Sequence, residues 1–157
     1  YPYQRAGRAF PDRLPKLIDA HRQALDDALL RHGPRPVVLA GKSMGSRVGC
    51  HLANALETVT KLVCFGYPLV AQNNPDKRRD EVLVALRTPV LFLQGTRDPL
   101  CPLSLLAEVR GRMTAPSELV VVDDGDHSLE VTRASGRSQA EVDEDLLAHV
   151  RSFLGAG

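Results

Sequence analysis

Ser43, Asp98 and His127 are the residues of this 157-residue chain whose types and spacing could do covalent chemistry. Ser43 lies in Gly41-Lys42-Ser43-Met44-Gly45, a match to G-x-S-x-G. On a tight turn between a strand and a helix, such a serine projects its hydroxyl from the sheet. Glycines two before and two after it are expected because side chains there would collide across the turn. A serine hydroxyl is a weak nucleophile at neutral pH and needs a neighbouring base. His127, in Gly125-Asp126-His127-Ser128, would take its proton and later return one to the leaving group. Asp98, in Gln94-Gly95-Thr96-Arg97-Asp98-Pro99, would fix the imidazole tautomer and stabilise the imidazolium. The backbone N–H of Met44, next after the nucleophile, would face the developing oxyanion together with one further donor.

Each residue also has a plainer role open to it. Ser43 could be an ordinary helix N-cap, although that leaves the flanking glycines unexplained. Asp98 could cap the helix after Pro99. Asp123, Asp124 and Asp126 rival Asp98 as the acid, but a side chain beside the histidine usually points away from its ring, and these fit the turn itself. Ala40-Gly41-Lys42-Ser43 resembles the end of a phosphate-binding loop. That motif requires a glycine where Pro36 stands, so nucleotide binding is rejected. His21, His32, His51 and His149 fall on helices or at helix ends. Cys50 and Cys64 read as small buried hydrophobes. Cys101 falls near the active face, where it could be reactive but fits packing better. Asp76-Lys77-Arg78-Arg79-Asp80-Glu81 is mixed in sign and reads as a solvated helix start. No metal-ligand cluster and no cofactor motif is present in the sequence.

The elements that would position the triad alternate. Apolar residues from Leu14 to Leu29 recur at helical spacing, with Asp12 as N-cap and His32-Gly33-Pro34 as the stop. Val37–Ala40 reads as a buried strand. A helix with a small-residue face, Gly45, Gly49 and Ala53, follows from about Met44 to Leu56. Leu62–Phe65 is the next strand. A polar loop, Ala71 to Asp76, leads to a short helix near Asp80–Leu86. Then come a strand at Pro89–Leu93, a helix at Pro102–Arg112 and a strand at Leu119–Val122. A last helix opens on the capping box of Ser138 and Glu141 and runs to about Phe153. Strands alternating with helices predict a parallel sheet covered on both faces, with its site beyond the carboxyl ends of the strands. Ser43, Asp98 and His127 each follow a different strand.

Length and composition bound the answer. At 157 residues the chain is expected to be one domain, spanning 1–157. It is 43% hydrophobic and 25% charged, which excludes the disordered and fibrous classes. A net charge of +1 gives no electrostatic case for nucleic acid or an anionic membrane. Three cysteines without a CxxC pair argue against a disulfide framework and for a reducing, cytoplasmic setting. No apolar stretch is long enough for a membrane span.

Taken together, Gly41-Lys42-Ser43-Met44-Gly45 with Arg47, Gly66-Tyr67-Pro68-Leu69, Gln94-Gly95-Thr96-Arg97-Asp98-Pro99 and Gly125-Asp126-His127-Ser128-Leu129 resemble a branch of the α/β-hydrolase superfamily. Tyr1-Pro2-Tyr3, Gly7-Arg8 and Pro11-Asp12-Arg13 resemble it too. The branch is that of small hydrolases similar to the testis-expressed and NSL-complex-subunit proteins, neighbours of the dienelactone hydrolases. The resemblance implies the α/β-hydrolase fold and a serine hydrolase site at Ser43, Asp98 and His127. It supplies no substrate. It also implies strands preceding the region seen here, one followed by a His-Gly-type loop with the second oxyanion donor. Tyr1-Pro2-Tyr3 then reads as the tail of a strand, and the N-terminal strands are expected to be missing from a protein of about 200 residues. The missing donor predicts poor catalysis; separately, Val37–Ala40 would be left as an unpaired edge, which predicts poor solubility unless a homodimer pairs those edges.

Two functions compete. One is a serine hydrolase acting on a small ester, thioester or lactone through an acyl-enzyme. The other is a non-catalytic scaffold of the same fold that binds a protein partner. Only about a dozen residues separate the Gly66 strand end from the next helix, too few for a separate cap domain. The site is therefore expected to be open, with Tyr67 and Leu69 lining a shallow pocket for small acyl groups.

Overall fold

Four apolar runs build the sheet of the computed structural model, which describes residues 1–72 and 74–155. They are β1 (Val37–Lys42), β2 (Val59–Phe65), β5 (Val90–Gly95) and β6 (Ser117–Val122), all parallel and ordered β1-β2-β5-β6. The two strands between them in the chain, β3 (Val70–Ala71) and β4 (Asn74–Arg78), pair antiparallel as a separate ribbon. The helices are α1 (Pro2–Arg5), α2 (Leu14–His32), α3 (Met44–Ala53), α4 (Glu81–Val84), α5 (Leu103–Arg112) and α6 (Gln139–Leu154).

Burial follows position in the sheet. All six residues of central β5 are buried, and its first four, Val90–Leu93, form the apolar run that a doubly covered parallel strand requires. Val90 and Phe92 pack on one face with Cys50 of α3 and Leu106 of α5. Leu91 and Leu93 pack on the other with Val142 and Leu146 of α6. Full burial of such side chains is worth about 1.5–3 kcal/mol each. β1 lies at a sheet edge and alternates instead, with Val38 42% exposed. Gly49 brings α3 close to the sheet: a Cβ there would lie 3.6 Å from a Leu62 methyl. No described helix is long and apolar enough to cross a membrane.

Several local expectations need correction. Tyr1-Pro2-Tyr3 opens a single helical turn, not a strand end. Asp12 does not cap α2. The N-cap is Arg13, and Pro15, in the helix's first turn where a missing N–H costs nothing, fixes the start. Asp12 instead pairs through Oδ1 with Arg8 at 2.7 Å and Lys16 at 3.3 Å. The Ala71–Asp76 loop is largely the β3–β4 ribbon; Asn73 within it lies outside the described residues. The same ribbon takes Asp76–Arg78, which were expected to begin a helix. Ser138 and Glu141 do form the reciprocal capping box of α6.

Candidate active site

Ser43 stands between β1 and α3 with φ 52° and ψ −114°. Those angles match the first central position of a type II′ turn, a backbone that favours glycine. Holding a serine there costs on the order of 1–3 kcal/mol. The turn is fastened by the Ser43 N–H, which donates to the Phe65 carbonyl at 2.9 Å, and by the Ser46 hydroxyl, which donates to the Gly41 carbonyl at 2.5 Å. Gly41 is required sterically, since a Cβ would sit 2.4 Å from the Gly45 carbonyl carbon. Gly45 is not: a Cβ there meets nothing within 4 Å, so only the first expected glycine answers to a collision.

The loop after β6 brings His127 over the turn. His127 Nε2 lies 2.8 Å from Ser43 Oγ, and Nδ1 lies 2.8 Å from Asp98 Oδ2. With Asp98 ionised, the pairing is Ser43 O–H donating to Nε2 and Nδ1–H donating to Asp98. The loop rests on the strand end at Gly66, whose φ is +59° and whose Cβ would lie 2.5 Å from the His127 carbonyl oxygen. Asp98 is 3% exposed and is not a helix cap, because α5 begins after Pro102. Its Oδ1 accepts from the Leu100 N–H at 2.8 Å and its Oδ2 from Gln94 Nε2 at 2.5 Å. The rival aspartates shape the turn. Asp126 accepts from the Ser128 and Glu130 amides, and Asp124 pairs with Arg97 and Thr132. The two Thr132 bonds, then Arg97, hold the Asp124 carboxyl below its usual range.

Gln94 was missed as a site residue. It is fully buried on β5, where its amide donates to Asp98 and its carbonyl accepts from the Tyr67 N–H at 3.2 Å. The signal was a polar residue at a strand position otherwise filled by Val90, Leu91, Phe92 and Leu93.

A cleft of about 330 Å³ opens at Ser43, with Met44, Arg47, Pro68, Arg79, Asp12 and Leu100 in its walls. Met44 presents the first N–H of α3, which has no partner within its helix. Tyr67 and Leu69 do not line this space. Both are 0% exposed, their side chains turned into the core, and Pro68 between them reaches the cleft instead. Tyr67 stacks edge-on against Phe92, and its hydroxyl donates to the Arg79 carbonyl at 2.9 Å. Burial raises that phenol well above its usual range. Cys101 is buried; desolvation first, and the Asp98 charge second, push its thiol up to about 12, which removes it as a nucleophile at neutral pH. Cys50 and Cys64 are buried free thiols whose sulfurs, 4.0 Å apart, share a hydrogen bond. A larger hollow of about 710 Å³ between α1 and α2, beside Tyr1 and His21, contains none of Ser43, Asp98 or His127.

A family model for an alpha/beta hydrolase domain matches residues 1–155. Among solved structures, an alpha-beta serine hydrolase homologue from Coxiella burnetii superposes with a TM-score of 0.64 at 18% identity, over 77% of this chain and 55% of that one. A cold-adapted esterase from an Arctic intertidal metagenomic library gives 0.61 at 24% identity, over 73% and 51%. The esterase domain of a Rhodothermus marinus protein gives 0.59 at 17%, over 84% and 68%. The chain thus spans about half the length of the first two. At these identities the likeness is one of fold.

Proposed function

Because this chain belongs to the alpha/beta hydrolase domain family, we propose that it is a serine hydrolase in which Ser43, His127 and Asp98 cleave a small ester, thioester or lactone. The observation behind this is the unbroken run of three side chains joined by two 2.8 Å bonds, with the serine on a strained turn at the floor of a cleft.

Ser43 Oγ would bond to the substrate carbonyl carbon while its proton passes to His127 Nε2. The Met44 N–H would donate to the oxyanion that forms. Collapse would re-form the carbonyl and break the bond from its carbon to the leaving oxygen or sulfur, and His127 would hand its proton to the departing alcohol or thiol. Water, deprotonated by His127, would then release the acid from the acyl-enzyme and restore Ser43. Asp98 stays ionised throughout and holds the imidazole. Gln94 acts through Asp98 and is a positioning residue.

Labelling with a neutral fluorophosphonate tests the proposal. The probe should attach to Ser43, and Ser43→Ala should abolish attachment with the circular dichroism spectrum unchanged. An unlabelled wild-type chain would refute the assignment and leave the scaffold role standing, and labelling that persists in Ser43→Ala would move the nucleophile to another residue.

A further inference from the structure

Two guanidinium groups line the cleft, and neither is paired with a carboxylate among the described residues. Arg47 sits in the first turn of α3 and Arg79 just beyond β4, and both line the space that holds Ser43. Neither is in a salt bridge among the described residues. This contrasts with the chain around them. Arg78 and Arg112 share Asp80, at 3.3 and 3.0 Å, and Arg78 also pairs with Glu108 at 2.9 Å. Arg79 is next to Asp80 in sequence yet its guanidinium meets only the Pro68 carbonyl, at 3.4 Å. Arg47 Nε is buried with no acceptor among the described residues.

The placement is unfavourable unless something answers it. A cation in the first turn of a helix opposes the helix dipole, whose positive end is there. Burial first, and the neighbouring Arg47 charge second, lower the Arg79 pKa, so the two cations repel each other. Asp12 supplies the remaining charge in the cleft wall; its Oδ1 is held by Arg8 and Lys16, and its Oδ2 is buried without a partner among the described residues, so the wall carries one unanswered acceptor beside its two cations. A bound oxyanion would give the orphaned Arg47 donor a partner and relieve the repulsion between the two cations, since guanidinium forks match carboxylate and phosphate oxygens in pairs.

We propose that Arg47 and Arg79 form an oxyanion-binding wall, so that the preferred substrate is an ester or lactone carrying a carboxylate or phosphate group away from the bond that is cut. This rests on Ser43 being the nucleophile. Both arginines are binding residues and take no part in proton transfer.

The experiment has two parts. In the first, succinate, inorganic phosphate and the neutral succinamide are titrated against the protein by calorimetry at constant ionic strength, and each is tested for slowing fluorophosphonate labelling of Ser43. Succinate or phosphate should bind and protect, succinamide should not, and whichever anion protects better names the group. In the second, mono-p-nitrophenyl glutarate is compared with p-nitrophenyl butyrate. Arg47→Gln and Arg79→Gln should each raise KM for the glutarate by about 10–100-fold, the worth of a hydrogen bond to a charged group. The ratio of kcat/KM for the glutarate to that for the butyrate should fall by the same factor. Arg47→Lys should recover part of the loss, which separates charge recognition from misfolding. Labelling of Ser43 with no binding or protection by either anion would overturn the proposal while sparing the nucleophile. So would a fall in kcat on both esters, which would make the arginines oxyanion donors. Absent labelling would refute the nucleophile, and calorimetry would still decide whether the wall binds anions.

Discussion

The two flanks of Ser43 are built on opposite terms. On the histidine side every polar group is answered: Ser43 to His127, His127 to Asp98, Asp98 to Gln94 and the Leu100 amide, Gln94 to the Tyr67 amide. On the cleft side two cations stand together, and both Arg47 Nε and Asp12 Oδ2 are buried without a partner among the described residues. Buried polar atoms are normally satisfied, and a partly satisfied set is costly. The first flank is therefore complete in the free chain, while the second keeps one unanswered donor and one unanswered acceptor. On the reading proposed above, pre-organisation would belong to the proton relay and recognition to the open wall.

Breaking the complete flank should have the largest effects. Asp98→Asn should lower kcat on a short-chain p-nitrophenyl ester by up to ~10⁴, the loss seen when the same exchange is made in the serine-protease template. A larger loss from Asp126→Asn would reassign the acid. Gln94→Ala comes next. It removes a hydrogen bond to a charged group, worth about 1.5–3 kcal/mol, and leaves the Tyr67 amide unpaired. Urea denaturation should show that destabilisation, and kcat should fall more than KM rises; an unchanged kcat would make Gln94 purely structural.

Tyr67 ties the flanks together, its amide on Gln94 and its hydroxyl on the Arg79 carbonyl. Tyr67→Phe keeps the first link and cuts the second. It should cost about 1 kcal/mol of stability and leave fluorophosphonate labelling at its original rate. A lost labelling rate would mean the two flanks are not separable. The smallest effect carries the opposite sign. Arg47→Met removes an orphaned donor and a cation from the positive end of α3, so stability should rise by roughly 0.3–1 kcal/mol. At this chain length that is a rise in Tm of about 1–4 °C. A fall in Tm would show that Arg47 is satisfied in the free chain.

What the sequence made legible divides along the same line. The sheet strands were readable because Val90–Leu93 of β5 is an unbroken apolar run and each strand ends on a chemically distinct residue. Asp98 was separable from Asp124 and Asp126 because it follows a different strand, and the structure brings it to His127. The failures concern partners set by tertiary placement. Tyr67 and Leu69 follow a strand end, as pocket residues do, but a short-range pattern does not say which way a loop side chain turns. Asn74-Pro75-Asp76-Lys77-Arg78 carries no apolar alternation, so its pairing with β3 left no trace. Arg79 looked like one more charge in a solvated run; only the fold shows that Asp80 is taken by other arginines.

The backbone of Ser43 bears on how a sequence of this kind drifts. At φ 52° and ψ −114° a glycine would relax the turn, so exchange of serine for glycine is the downhill direction for stability. Only a use for the hydroxyl opposes that drift. A lineage that kept this fold merely to hold another protein would gain by the exchange and would shed the serine early. Ser43 is thus the position at which descendants that abandoned chemistry would first be recognisable.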